Sequence, residues 1–272
     1  MFLVNRVVRI FPTYWFYTGL LCLSLMLLPV GCYLTGYNLK SLLLSLLLIP
    51  NPNPSGYGDY PLLYTGWSLT YEVFFYFVMY AALVLFRTRA IWAAILVMAI
   101  APFVFGRHHP LGQSNGILLE FVEGMLIYET YKIWLRLPSR VLWIGIAIGS
   151  TAMIALLVHG WFQSWFRLFV GAWGIAIAVT LDHLIPTEGR LWRYFEKIGD
   201  MTYSIYLSHV VVLGWMVALF GFPRNRAVEL IMLIAFLAGT LLISMFTFTF
   251  IETGVFAKRM KNALLSIAPG TR

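Results

Sequence analysis

Runs of about twenty mostly apolar residues recur along this chain, and they restrict it to one kind of fold. A helix needs roughly 20 such residues to cross the hydrocarbon core of a bilayer. Eight stretches meet that need, at roughly 13–31, 68–86, 90–106, 116–134, 141–158, 164–184, 201–220 and 228–252. Of the 272 residues, 61% are hydrophobic and only 11% are charged, against about 25% charged in a soluble domain. A chain of this length cannot hide so much apolar surface from water, so lipid is its solvent. The expected fold class is all-α: a polytopic integral membrane bundle of about eight transmembrane helices. Residues 1–272 read as a single domain, with no internal repeat, low-complexity tract or soluble module.

Charge orients the spans. Counted by alternating loops, Arg6, Arg9, Arg87, Arg89, Lys132, Arg136, Arg140, Arg190, Arg193, Lys197, Lys258, Arg259, Lys261 and Arg272 make fourteen on one side. Lys40, Arg107, Arg224 and Arg226 make four on the other, and Arg167 sits at the start of the sixth span. Basic loops stay in the cytoplasm, so both termini are expected there and the 32–66 loop is expected outside. The same bias explains the net charge of +8 without a nucleic-acid partner. The stretch 40–50, KSLLLSLLLIP, is apolar but short, and reads as interfacial or re-entrant. Cys22 and Cys32 have no CxxC or Cys/His neighbourhood, so no metal site or disulfide framework is expected. His108 and His109, in an outward loop, read as solvated.

Polar groups inside spans need a reason, because ionisable side chains there face a bundle interior or a wet cavity. Ser68, Glu72 and Tyr76 recur every four residues and share one helix face, with Trp67 beside them as an interfacial anchor. Glu72 is either a functional acid or a hydrogen-bonded structural one. Glu120 and Glu123 are three apart in the fourth span, beside Gly124; one reading is a site with Glu120 as its acid, the other helix packing. Asp200 and Thr202 suit the N-cap of a helix. Thr202, Tyr206 and His209 then share a face, with His209 about 12 Å into the span. It is either a structural hydrogen-bond partner or part of a site. Arg6 and Arg9 stand three apart before a span that Pro12 would open. Forked guanidinium pairs suit phosphates, although basic residues belong on this side anyway. Glu252, at the cytoplasmic end of the last span, suits such an Arg or Lys258.

Several of these segments together resemble the membrane acyltransferase 3 family, which O-acylates envelope glycans. NRVVRIFPTYW resembles its Arg-x-x-Arg-Ile-x-Pro-x-Tyr-Trp segment through Arg6, Arg9, Pro12, Tyr14 and Trp15. WSLTYEVFFY resembles its Trp-Ser/Thr-Leu-Ser-x-Glu-x-x-Phe-Tyr segment through Trp67, Ser68, Glu72, Phe75 and Tyr76. IGDMTYSIYLSH resembles its Gly-x-x-Ser-Tyr-Ser-Ile-Tyr-Leu-x-His segment through Gly199, Tyr203, Ser204, Tyr206 and His209. LLEFVEGML and FIET fit further segments, and the tyrosine-centred LTYEVFFY form is most like members that acetylate exopolysaccharide.

The resemblance implies transfer of an acyl group, expected to be acetyl, from cytoplasmic acyl-CoA to a polysaccharide or glycolipid hydroxyl. It implies a bacterial inner membrane location and a donor substrate rather than a bound cofactor. Arg6, Arg9 and Glu252 would hold acyl-CoA at the cytoplasmic face. Glu72 and His209 would be catalytic. Trp67, Ser68, Tyr76, Glu120, Tyr203 and Tyr206 would line the acceptor side, with Glu72 and Glu120 in the outer half. The family's usual first two helices, with the His taken as base, have no counterpart before Met1. That difference implies a late start or a fragment, with residues 1–272 inactive alone. A non-catalytic transport or assembly protein for polysaccharide or lipid would need the same buried polar groups and no acyl-CoA.

Overall fold

The computed structural model describes residues 1–27, 38–53, 58–105, 116–159, 166–185 and 189–267. Cys32, His108, His109 and the far end of the first expected span lie outside these. The described chain is helical: α1 Phe2–Leu27, α2 Leu39–Leu46, α3 Gly66–Phe86, α4 Ala90–Phe105, α5 Ile117–Trp134, α6 Ser139–Val158, α7 Phe166–Leu184, α8 Arg190–Asp200, α9 Thr202–Phe220, α10 Arg226–Thr247 and α11 Val255–Ile267. A 3-10 turn, Arg87–Arg89, separates α3 from α4, and a π-helical turn, Phe248–Glu252, follows α10.

Five described stretches are long and apolar enough to cross a membrane: Phe2–Leu27, Gly66–Phe105, Ser139–Val158, Thr202–Phe220 and Arg226–Ser266. The 40-residue stretch holds both α3 and α4, because Arg87 takes a positive φ of 43° and breaks the helix. The remaining expected spans do not meet that measure. Helix α5 carries Glu120, Glu123, Glu129 and Lys132, and the apolar part of α7 is confined to Leu168–Leu184. The described residues form an all-helical structure, with five such stretches where the sequence suggests eight.

The chain forms two compact units, Met1–Tyr76 with Arg193–Arg272, and Phe77–Trp192. In the first, α9 packs on α10, and α1 packs on α9 and α11. Its core gathers Ile10, Tyr14, Tyr17, Leu48, Leu63, Leu69, Leu207 and Val211. Lipid tails give helices no hydrophobic drive toward each other, so small and polar side chains join them. Tyr17 Oη lies 2.8 Å from Thr247 Oγ1, Ser208 Oγ lies 2.9 Å from Ser244 Oγ, and Trp215 Nε1 donates to Ser24 Oγ at 2.6 Å. These bonds tie α1, α9 and α10 together. In the second unit α5 packs on α4 and α7, and α6 packs on α7. There the Trp173 indole fills the space a Cβ would need at Gly149, 2.2 Å from that position.

Two sequence expectations change. The first span does not open at Pro12: α1 starts at Phe2 and runs through Pro12, so Arg6 and Arg9 are helical. Asp200 and Thr202 do not cap α9. Asp200 ends α8, α9 has no side-chain cap, and Thr202 Oγ1 donates back to Gly199 O at 2.6 Å.

The segment before α3, read from sequence as interfacial or re-entrant, packs against α1. Asn38 accepts the Ser41 N–H at 2.8 Å and starts α2. Backbone carbonyls inside a membrane bundle need partners, and α1 supplies them. Tyr14 Oη donates to Ser45 O at 2.7 Å, and Trp15 Nε1 donates to Leu46 O at 2.9 Å. Leu63, Thr65 and Gly66 are buried. Helix α3 therefore starts inside the bundle rather than at its rim.

Candidate active site

Every predicted site residue except Glu120 belongs to the first unit. The polar stripe of α3 forms as its four-residue spacing requires. Tyr76 Oη donates a short hydrogen bond to Glu72 Oε1. The Arg6 guanidinium lies 5.0 Å from the Tyr76 ring centroid and 5.5 Å from that of Phe2. Phe2 meets Tyr76 edge-on at 6.0 Å. A cation over an aromatic face contributes about 0.5–2 kcal/mol, more as it is desolvated. Arg6 is thus held on the tyrosine that holds Glu72.

This contact sets Glu72 beside the start of α1. A span counted from residue 68 puts the acid in the outer half, on the acceptor side. In the structure its partner Tyr76 meets Phe2 and Arg6, at the start of α1.

Helix α9 lines up a second set. Tyr203 Oη donates to Ile10 O at 2.8 Å, and Tyr203 is within electrostatic reach of both Glu72 and Glu252. Tyr206 Oη lies 2.7 Å from Ser68 Oγ and 3.2 Å from Thr65 O. His209 lies beside it, ring centroids 5.8 Å apart. The His209 ring is half-buried, and among the described residues its nitrogens form no hydrogen bond.

Glu252 owes its position to the π turn, which adds a residue to the last turn of helix; such bulges recur at functional sites. Ser204 Oγ donates to Glu252 Oε2 at 2.8 Å. Glu252 lines a cavity of about 560 Å³ together with Asn5, Arg9, Asp200, Lys258 and Lys261. Arg6 is not among the lining residues. The arginine pair is therefore divided, Arg9 to this cavity and Arg6 to Tyr76.

Trp67 is half-buried and meets Tyr71 edge-on at 6.2 Å. Glu120 is half-buried on α5 of the second unit. Near it on α5, Glu123 turns a carboxylate oxygen toward Gly171 of α7, 4.0 Å from where a Cβ would stand. Sequence reasoning named Ser204 only within a family segment and Lys258 only as a partner for Glu252, and it passed over Lys261. Ser204 lies inside a quoted motif, two positions from Tyr206. The lysines are three apart, a visible signal that the charge count absorbed as topology.

Residues 1–249 match the family described as acyltransferase domain. The chain is 30% identical over 251 residues to the exopolysaccharide production protein ExoZ of Rhizobium meliloti (strain 1021). That alignment covers 89% of this chain and 76% of the relative. No solved structure matches.

Proposed function

Because the chain belongs to the acyltransferase 3 family, we propose that it moves an acyl group, expected to be acetyl, from cytoplasmic acyl-CoA to a hydroxyl of an exported polysaccharide. The relative named for exopolysaccharide production supports that acceptor. The observation that carries the reading is the joining of Glu72, Tyr76 and Arg6 at the start of α1, in the same unit as the cavity lined by Arg9 and Glu252. The membrane is the bacterial inner membrane, with both termini cytoplasmic.

In the transfer, the acceptor oxygen attacks the thioester carbonyl carbon. A C–O bond forms, the C–S bond breaks, and the CoA sulfur leaves and takes up a proton. The acceptor's own proton needs a base, and His209, with open ring nitrogens beside Tyr206, fits that role. Glu72 accepts from Tyr76 and, with a second oxygen, can orient the incoming hydroxyl. The oxyanion of the tetrahedral intermediate needs donors aimed at it, and Arg6 offers a cation next to Glu72. Arg9 and Glu252 take the donor's nucleotide end. Trp67, Ser68, Tyr203 and Tyr206 bound the acceptor path.

The test compares Glu72→Gln with the unchanged protein, each expressed from its own full gene in cells lacking other such enzymes. Acetyl incorporation into exported polysaccharide should fall at least about 10²-fold, within the range for loss of acid–base assistance, with membrane abundance unchanged. Unaltered incorporation makes Glu72 structural. Polysaccharide export that depends on the protein, with no acetyl-CoA-dependent incorporation, replaces the enzyme with a transport protein.

A further inference from the structure

The cavity at the start of α1 has a wall that the family match does not include. Its residues Lys258 and Lys261 lie on α11, beyond residue 249 where that match ends. The π turn and Gly254 put α11 there. Thr253 N–H closes the wide turn on Phe248 O at 2.9 Å, and a Cβ on Gly254 would stand 2.0 Å from Phe250 O. Helix α11 then packs along α1, and Ala257 is buried at 5% exposure. Residues three apart share a helix edge, so Lys258 and Lys261 face the cavity together, across from Arg9 of α1.

We propose that Lys258 and Lys261 form a phosphate subsite that makes this cavity selective for a 3′-phosphorylated adenine nucleotide, the end of CoA that dephospho-CoA lacks. The proposal rests on the acyl-CoA reading above and adds the group that would be recognised. A volume of about 560 Å³ lies within the ~300–1,000 Å³ common for ligand sites. A phosphate dianion needs more than one cation, and lysine binds phosphate as a point charge. Arg9, Lys258 and Lys261 supply three charges from two elements. The carboxylates on the same wall, Asp200 and Glu252, suit donors rather than anions. Ribose hydroxyls and the adenine amino group are such donors. Ser204 holds Glu252 in place. The lining thus carries complements for both the phosphates and the neutral part of a nucleotide.

An anionic lipid headgroup shares the phosphate chemistry, so the test separates the two sources. The full protein is placed in phosphatidylcholine nanodiscs, and equilibrium binding of CoA and of dephospho-CoA is measured, then repeated with phosphatidylglycerol added. The unchanged protein should bind CoA about tenfold more tightly than dephospho-CoA. The double change Lys258→Ala, Lys261→Ala should remove that preference by weakening CoA alone. Lys258→Arg with Lys261→Arg should keep it, and so should Arg259→Ala, an exposed cation of the same helix outside the cavity lining. Equal binding of both nucleotides by the unchanged protein overturns the subsite and leaves the donor reading standing. Binding of neither overturns the donor reading, and the subsite with it. Lysine changes that weaken phosphatidylglycerol binding and leave CoA untouched assign the pair to lipid and overturn the proposal.

Discussion

Tyr206 holds two helices together through one oxygen. Its hydroxyl reaches Ser68 Oγ at 2.7 Å and Thr65 O at 3.2 Å, so it fixes the start of α3 against α9. Interhelical hydrogen bonds of this kind contribute on average about 0.6 kcal/mol in a membrane protein. Tyr206→Phe and Ser68→Ala should each destabilise the protein by roughly that amount, up to about 1 kcal/mol. The pair should cost less than the sum of the two. Unfolding by detergent titration in mixed micelles measures the cycle, and strict additivity would show the hydroxyls uncoupled. At this scale the sequence was informative where one helix sets the geometry: Ser68, Glu72 and Tyr76 share a face because they are four apart. It could not pair Arg6 with Tyr76 rather than with a phosphate. That choice depends on where α3 starts, which the burial of Leu48, Leu63 and Thr65 ahead of it helps to set.

Between α10 and α11 a single backbone contact fixes a whole element. At Gly254 any side chain would press on the Phe250 carbonyl, 2.0 Å from the Cβ position. Backbone cannot yield as a flexible side chain can, so Gly254→Ala must open the π turn, at about 1–3 kcal/mol for such overpacking. Helix α11 should then lift from α1. A cysteine placed at Ala257, buried at 5% exposure, reports this. It should be slow to react with a maleimide in the parent and at least about tenfold faster when Gly254→Ala is added. The fold-change follows from local opening, which sets the reactivity of a buried thiol. An unchanged rate would mean that the turn absorbs the methyl without moving α11. Neither the π turn nor this close approach is visible in FIETG as letters. Helical periodicity marks where a helix runs, and what happened here is a register slip of one residue at its end.

For the molecule as a whole, charge and apolar length do not count the same thing. On the eight-span reading, fourteen basic residues fall on one side of the alternation and four on the other. By length and apolar content five described stretches qualify. Helix α5 separates the two measures, since its four charged side chains make it costly in lipid unless neighbouring helices shelter them. If the alternation holds, cysteine labelling should find Asn225 outside, and Arg89 and Lys258 inside. An external Arg89 would discard the eight-span arrangement. The helical class was legible from run length alone, because lipid allows a chain of this composition few other folds. For residues 40–50 the sequence left interfacial and re-entrant placements open, since their packing depends on Tyr14 and Trp15 of another helix. That segment has an electrostatic consequence. A helix carries about half a positive charge at its first turn, and one that begins at a membrane surface loses most of that field to water. Helix α3 begins at Gly66, a buried position, beside the hydroxyls of Ser68 and Tyr206. The Gly66 and Trp67 N–H groups donate to Leu63 O and Tyr64 O at 2.8 and 3.1 Å, and the positive end of the dipole is carried into the bundle, where charge is weakly screened. Negative charge that develops near Ser68 is met by a fixed field, already in place before any substrate arrives.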